Sequence, residues 1–498
     1  MNAHHTITRR FFTVLLALIL TLIMASVVSL WSEKSLANNR IKLPDIGNTA
    51  NTIISSEVEK KLGKAFLRSI RLRIPLSHDQ EINDYAQQLG HRVAKFSEQP
   101  DRHFNFFVVN DHRINAFAGP DGHIGLNTGL ILAAESESEL ASVVAHEIGH
   151  VTQQHLQRAF ETASQLSTPT AAAMLAAVIL GVAVPGVGPA AIMAVQAGQV
   201  QKQINFTRSH EAEADRVGVQ NLADAGFDPR SMPLFFGRLK TATTQYGQKV
   251  PEILLTHPAP TSRIADTAAR AEKFPYKQVE DSQDFRLIRM KVRVNKQQQT
   301  STGELIEALK NESQQGTQPI KNAARYGLAQ AYMKDRQFNK ARDLLSALRK
   351  QNPDQLHYLT ALALNEYRDN KPQRALTLFE QAKQLFPKSR AVNLLYAKVL
   401  LHNGKPQQAL TYLNQDLALF NPTPNVYDLL SIAYGQVNEP VRGFQYRAEY
   451  LYSIGFTKDA IIQLEQALRS AKNNFYLSSQ IENRINQLQA ELNAPKLL

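Results

Sequence analysis

Three sets of residues recur along the C-terminal part of this chain at a step of 34: Ala329, Ala363 and Ala397; Ala341, Ala375 and Ala409; and Pro353 with Pro387. The segments around the second set match in kind as well as in place: Gln337-Phe-Asn-Lys-Ala-Arg342, Lys371-Pro-Gln-Arg-Ala-Leu376 and Lys405-Pro-Gln-Gln-Ala-Leu410. Small side chains at fixed points of a 34-residue unit are what a stack of helix pairs requires, because helices approach closely only where little projects between them. One coincident spacing would carry little. Three sets in register restrict this part of the chain to an all-α solenoid. Pro422 nearly keeps the proline step, and residues 456–468 with Ala460 read as a weaker further unit, so the array is expected over 322–490.

Most of the 498 residues lie outside that array and need a core of their own. At the N-terminus, Arg9 and Arg10 precede a nearly unbroken apolar run over 11–30, and Ser35-Leu-Ala37 offers small residues where a signal peptidase inspects the chain. An export segment is therefore expected over 1–37. Cleavage after Ala37 removes Arg9, Arg10, Lys34 and Glu33 and takes the formal charge from +12 to +10. The run is also long enough to span a bilayer, so an uncleaved anchor is the alternative. The basic charge is spread along the chain without a dense Lys/Arg block or a nucleic-acid motif, which excludes nucleic acid as a partner. It leaves weak peripheral contact with an anionic membrane surface. There is no cysteine, so disulfides, thiolate ligands and cysteine catalysis are excluded, and any metal site must use His and carboxylate.

The middle of the chain, 45–280, reads as a mostly helical α+β domain. Helical spacing predicts helices over 56–73 and 79–95, the latter with Ile82, Tyr85, Leu89 and Val93 on one face. Phe104, Phe106 and Val108 mark a short strand, and residues 115–130 read as two short strands around the turn Gly119-Pro-Asp-Gly122. Ser136 followed by Glu139 is a capping-box pattern that opens a helix striped by Leu140, Val143, Val144, Ile148 and Val151. An Ala/Gly/Val-rich stretch over 170–198 reads as a buried or mobile helical hairpin, each arm being too short to cross a membrane. A polar helix over 208–225 stops at Gly226. Residues 281–321, basic and then rich in Gln, Ser and Thr, read as a linker.

The chemistry is concentrated in His146-Glu-Ile-Gly-His150. Residues four apart share a helix face, so both imidazoles can reach one metal ion, and Glu147 can address a water beside it. The bland alternative is two surface histidines on a helix. The apolar stripe around them and the small Gly149, which admits a neighbouring element, weigh against it. A third protein ligand is needed, and Arg208-Ser-His-Glu-Ala-Glu-Ala-Asp215 offers it. Glu211 and Asp215 are again four apart, so Glu211 could ligate while Asp215 orients a histidine. Glu213 and His210 compete with Glu211, and an acidic helix of this kind is more often a solvated face. His155 lies five residues beyond His150, a step that turns it away, and reads as a surface residue.

The HExxH motif followed by Glu-x-x-x-Asp resembles the zinc metallopeptidase family that includes HtpX and the prenyl-protein endopeptidases. Asn115-Ala-Phe-Ala118, Leu126-Asn-Thr-Gly-Leu130, Phe206-Thr-Arg-Ser-His-Glu211, and Thr256-His-Pro258 with Arg263-Ile264 match as well. The export segment and the 34-residue units, which are those of tetratricopeptide repeats, narrow the resemblance to periplasmic members. It implies one zinc ion per chain held by His146, His150 and Glu211, with Glu147 as general base and Asp215 in support. It also implies that His257 is a removable fourth ligand. The segment 119–126, with Gly119, Gly122, Ile124 and Leu126, would be the edge strand along which an extended substrate lies. Gly119 departs from many relatives, which carry a larger apolar residue there. The implied substrates are unfolded or misassembled outer-membrane proteins, with their assembly machinery contacted through the repeats. Two rivals stand beside this: a non-catalytic chaperone or scaffold acting through the repeats, and a membrane-anchored metalloprotease.

Overall fold

The computed structural model describes residues 55–164, 197–246, 250–296, 301–471 and 474–493. The expected export segment and nearly all of the Ala/Gly/Val-rich stretch lie outside the described residues. Among those described, no helix is long and apolar enough to cross a membrane.

The first two helices begin where short polar side chains can satisfy free N–H groups. Ser55 Oγ accepts from the Val58 N–H to open α1 (Ser56–Arg73), and Asp79 accepts from the Glu81 and Ile82 N–H groups to open α2 (Gln80–Ala94). Ile82, Tyr85, Leu89 and Val93 of α2 are all buried in the main core. A three-stranded sheet follows, made of β1 (Asn105–Val109), β2 (Ala116–Ala118) and β3 (His123–Asn127), with a 3-10 turn over Pro120–Gly122. Gly122 has φ +70, and a Cβ there would stand 2.0 Å from the His103 carbonyl oxygen, so the turn admits only glycine.

The strand order is β1-β3-β2, with β3 parallel to β1 and antiparallel to β2. This corrects the expected edge strand. Ile124 and Leu126 lie on the middle strand, fully buried, and their backbone is paired on both sides. Of the two edge strands, β1 is partly covered by residues 75–77, and β2 is the open one among the described residues. Asn115 O accepts from the Asn127 N–H, Gly119 N–H donates to His123 O, and Phe117 pairs with Gly125. Ladder alternation then directs the backbone groups of Ala116 and Ala118 outward. Gly119 itself is extended, and the place of a side chain is taken by Phe66, whose Cε1 would lie 2.3 Å from a Cβ.

Next come α3 (Thr128–Ala133), α4 (Glu137–Thr152), α5 (His155–Ser164), α6 (Ala197–Asp224), α7 (Ser231–Tyr246), α8 (Glu252–Thr256) and α9 (Thr261–Ala271). Ser136 Oγ caps α4 through the Glu139 N–H, while the Glu139 carboxylate closes on the Glu135 N–H, one residue before the reciprocal partner of a capping box. Every residue of α4 except His150 is buried, so this helix is the centre of the domain and not a surface element. The polar helix expected from 208 is the C-terminal part of α6, and Gly226, at φ +81, ends it. At Gly149 a Cβ would stand 2.8 Å from the Ala214 carbonyl oxygen, so glycine lets α4 and α6 approach closely enough to share a site.

Within the span expected as a linker, the structure has α10 (Gln283–Lys296) and α11 (Thr302–Glu312). On α10 the residues Phe285, Ile288 and Val292 join the core of the preceding domain, while Leu287, Met290 and Val294 join the first core of the repeats. Two apolar stripes on one helix make the boundary a shared wall. Beyond it stand α12 (Gln318–Lys334), α13 (Phe338–Gln351), α14 (Leu356–Arg368), α15 (Pro372–Leu385), α16 (Arg390–His402) and α17 (Pro406–Leu419). The described residues then continue through α18 (Pro424–Gln436), α19 (Pro440–Ser453), α20 (Thr457–Ser470) and α21 (Phe475–Asn493). All six period-marking alanines are fully buried. The period also runs one unit further than the alanines show. Gly443 holds the small position of α19, where a Cβ would meet the Ser431 carbonyl at 3.4 Å.

A buried polar node helps bind the two parts. Glu81 of α2 accepts from Thr360 Oγ1 of α14 at 2.6 Å, meets His357 Nδ1 at 3.0 Å, and pairs with Lys291 of α10. Lys291 also reaches Asp79 at 2.8 Å. Burial opposes ionisation of Glu81, but Lys291 and His357 outweigh it and hold the carboxyl well below its ordinary range.

Candidate metal centre

Four side chains from three separate stretches converge. α4 supplies His146 and His150, α6 supplies Glu211, and the residue that ends α8 is His257. His146 Nε2 lies 3.0 Å from His150 Nε2, 3.3 Å from His257 Nδ1 and 3.3 Å from Glu211 Oε2. Glu211 Oε1 lies 3.4 Å from His150 Nε2 and 2.9 Å from His257 Nδ1. Ligand atoms at the corners of a zinc tetrahedron are separated by about 3.3 Å, given metal–nitrogen bonds of about 2.05 Å. These separations fit that figure. Glu213 and His210, the rival ligands, face away: Glu213 pairs with His155 and Arg158, and the His210 ring stacks on His155.

The charge balance of the site asks for a cation. Glu147, Glu211 and Asp215 are all buried, and the guanidinium facing them is Arg263 of α9, which pairs with Glu211 and Asp215. Three carboxylates against one guanidinium leave a buried excess that a divalent ion would close, and uncompensated buried charge is expensive. Both oxygens of Glu147 are buried without a hydrogen-bond partner, and His257 Nε2 is the cation-capable group nearest them, 3.5 Å away. The residues present therefore fit a metal.

The surroundings fix which nitrogens face the centre. Asp215 Oδ1 lies 2.9 Å from His146 Nδ1, which places a proton on Nδ1 and turns Nε2 to the centre. Burial alone would lower the His146 pKa, but Asp215 and Glu211 outweigh it and hold it up at about 9, so without a metal a second proton on Nε2 offsets part of the carboxylate charge and a bound ion takes its place. For His150 burial wins over Glu211, and the imidazole falls to about 3. Burial also works against the Asp215 carboxylate, yet Arg263 and His146 keep it down at about 2.

His155 contradicts its surface reading. It is 5% exposed, its Nδ1 lies 2.9 Å from His150 Nδ1, and its Nε2 lies 3.1 Å from Glu213 Oε2. The five-residue step was counted along one helix, but α4 ends at Thr152 and Gln154 takes φ +55 before α5 begins. The break swings His155 back onto His150. Sequence spacing assigns Arg263 no role of its own. The structure gives it three acceptors, two on Asp215 and one on the Pro258 carbonyl, an ion pair with Glu211 Oε2 at 2.6 Å, and a place over the Phe236 ring. The signal that could have found it is a lone Arg six residues after His257, with two buried carboxylates needing a partner.

A model of peptidase family M48 matches residues 80–271, and one of the tetratricopeptide repeat matches 315–364 and 367–432. The beta-barrel assembly-enhancing protease of Escherichia coli (strain K12) is 33% identical over 471 residues, which is 95% of this chain and 96% of the relative. A protein of Vibrio cholerae serotype O1 that bears the same name provisionally is 35% identical over 455 residues, 91% of this chain and 93% of the relative. The mitochondrial metalloendopeptidase OMA1 of Arabidopsis thaliana is 31% identical over 156 residues, 31% of this chain and 29% of that protein.

Proposed function

This chain belongs to peptidase family M48 and is a metalloprotease with tetratricopeptide repeats, and we propose that it works in the periplasm as a zinc endopeptidase on unfolded or misassembled outer-membrane proteins. The observation that carries the catalytic part is the convergence of three imidazoles and the Glu211 carboxylate beside an unpartnered, buried Glu147. An all-nitrogen-and-oxygen set of this kind suits zinc. His146, His150 and Glu211 would hold the ion, and zinc, when bound, supplies a Lewis acid for the scissile carbonyl and a lower pKa for water. Glu147 accepts the proton of the attacking water and returns it to the leaving amide nitrogen. Asp215 and Arg263 hold His146 and Glu211 in place.

An extended substrate would add to the open edge of β2, pairing with the backbone of Ala116 and Ala118 in place of the 119–126 segment. Main-chain pairing of that kind tolerates varied sequences, which suits misassembled clients. His257 stands within reach of both Glu211 and Glu147, so it covers the place a substrate carbonyl and water need. This supports a resting state that His257 keeps shut. Contact with outer-membrane protein assembly machinery through the repeats rests on the relatives' name and their coverage of nearly the whole chain.

A scaffold without catalysis would have no use for Glu147, because a buried carboxylate that accepts no hydrogen bond is costly and adds nothing to stability. The test is Glu147→Gln. It should retain fold and zinc and lose proteolysis of an unfolded outer-membrane protein by roughly three orders of magnitude or more. Cleavage at the parent rate would overturn the catalytic assignment.

A further inference from the structure

We infer that His155 and Glu213 form a positioning relay that fixes the tautomer and the aim of His150 towards the metal, as Asp215 does for His146; this rests on the metal-centre reading above. His150 turns Nε2 to the cluster, 3.0 Å from His146 Nε2, so its proton belongs on Nδ1. That N–H points at His155 Nδ1, 2.9 Å away, which must therefore be the acceptor. A neutral imidazole that accepts at Nδ1 carries its own proton at Nε2. His155 Nε2 lies 3.1 Å from Glu213 Oε2, a carboxylate oxygen able to take that hydrogen bond. Each proton position follows from the one before, and the chain ends on a carboxylate whose same oxygen also accepts from Arg158 Nη1 at 2.9 Å.

The local fold is built to hold this arrangement. His155 is the first residue of α5 and reaches back only because the chain breaks at Gln154, φ +55, a left-handed conformation that costs energy for a residue other than glycine. The His155 ring lies flat against the His210 ring, with centroids 4.1 Å apart and planes 9° apart, which fixes its rotation. His210 and Glu213 are three residues apart on one flank of α6, and Glu211 and Asp215 occupy the neighbouring flank. One turn of α6 thus supports His150 on one side and His146 on the other. The two carboxylates left over by the choice of Glu211 as ligand both receive a role.

A side chain that merely filled space at 155 would serve as well if apolar; a positioning residue would not. Zinc affinity of the full chain, read by competition with a chromophoric chelator, separates them. His155→Phe should bind zinc about 10- to 100-fold more weakly, the usual loss when an outer partner of a metal-bound histidine is removed. His155→Asn places Oδ1 where Nδ1 stands and should stay within a few-fold of the parent. The melting temperatures of the metal-free parent and His155→Asn should agree. Parent-like zinc affinity in His155→Phe, or an equal loss in His155→Asn, would overturn the relay. Should His155→Phe fail to fold, Glu213→Leu, at a partly exposed position, carries the test: weaker zinc binding supports the relay, and unchanged binding overturns it. A parent chain that takes up no zinc would overturn the metal-centre reading itself.

Discussion

His257 meets Glu211 at 2.9 Å and Glu147 at 3.5 Å, so one loop residue touches both a proposed ligand and the proposed base. Its loop is braced from the other side, where Arg263 Nη1 donates to the Pro258 carbonyl at 2.9 Å. Removing the imidazole should open the place of substrate and water while leaving His146, His150 and Glu211 to retain zinc. His257→Ala is therefore expected to keep its metal and to raise basal or self-cleavage several-fold, read on gels against a Glu147→Gln control. Unchanged basal activity would remove the latch. For the third ligand, Glu211→Gln should lose zinc on dialysis by more than about a hundredfold in affinity. Glu213→Gln should retain it, because its amide oxygen can still accept from His155. The opposite ranking would mean that the wrong carboxylate was chosen. At this scale the sequence reached as far as local spacing reaches. His146, Glu147 and His150 are fixed by helix geometry alone, whereas Glu211 had rivals on its own helix. His155 was misread because a left-handed Gln154 leaves no mark in the sequence.

Among elements, the helices were the most legible part, because a buried stripe repeats several times within each. The 56–73 expectation coincides with α1, and Asp79 announces α2 by its cap. Strand order was not legible, since β3 joins β1 and β2 by pairings that local patterning does not encode, and the expected edge became the middle. The node at α2, α10 and α14 was invisible for the same reason: Glu81, Lys291 and His357 lie far apart in the chain. His357 gives this node a pH dependence. Burial alone would lower its pKa, but Glu81 outweighs burial and raises it. A raised histidine contributes stability that is fully present below its unfolded value, near 6.5, and is lost as pH rises through the folded value. Glu81, depressed in the fold, contributes above its unfolded value, near 4.3. The pair is therefore at full strength between those unfolded values. The stability gap between the parent and His357→Gln, measured by urea unfolding, should be largest around pH 5–6 and shrink at alkaline pH. A gap independent of pH would show that folding leaves the His357 pKa unchanged, and a gap that grows with pH would show that His357 is held neutral.

At the scale of the whole molecule, α10 decides how the two parts depend on each other. A polar, Gln-rich segment reads as a spacer, and a free spacer would let either part be removed without cost to the other. Instead α10 presents Phe285, Ile288 and Val292 to the protease core and Leu287, Met290 and Val294 to the repeats. Burying each of the first three contributes about 1.5–3 kcal/mol, so together they supply on the order of 5–9 kcal/mol. That is comparable with the whole stability of an ordinary domain, about 5–15 kcal/mol. A chain ending at residue 280 also strips Lys291 from Glu81, leaving a buried carboxylate without its cation. A chain ending at 321 keeps α10, α11 and Lys291, and loses the His357 and Thr360 bonds to Glu81, the Ala391 N–H bond to Asp84, the bonds of Arg68 and Arg71 to the last helices, and the cover over the Leu287 face. The two truncations should therefore differ in kind. The 321 form should fold, hold its metal and self-associate through the uncovered face, and the 280 form should not fold. Circular-dichroism melts and metal content after gel filtration compare them directly. A 280 form that melts cooperatively with its metal in place would show that α10 belongs to the repeats alone.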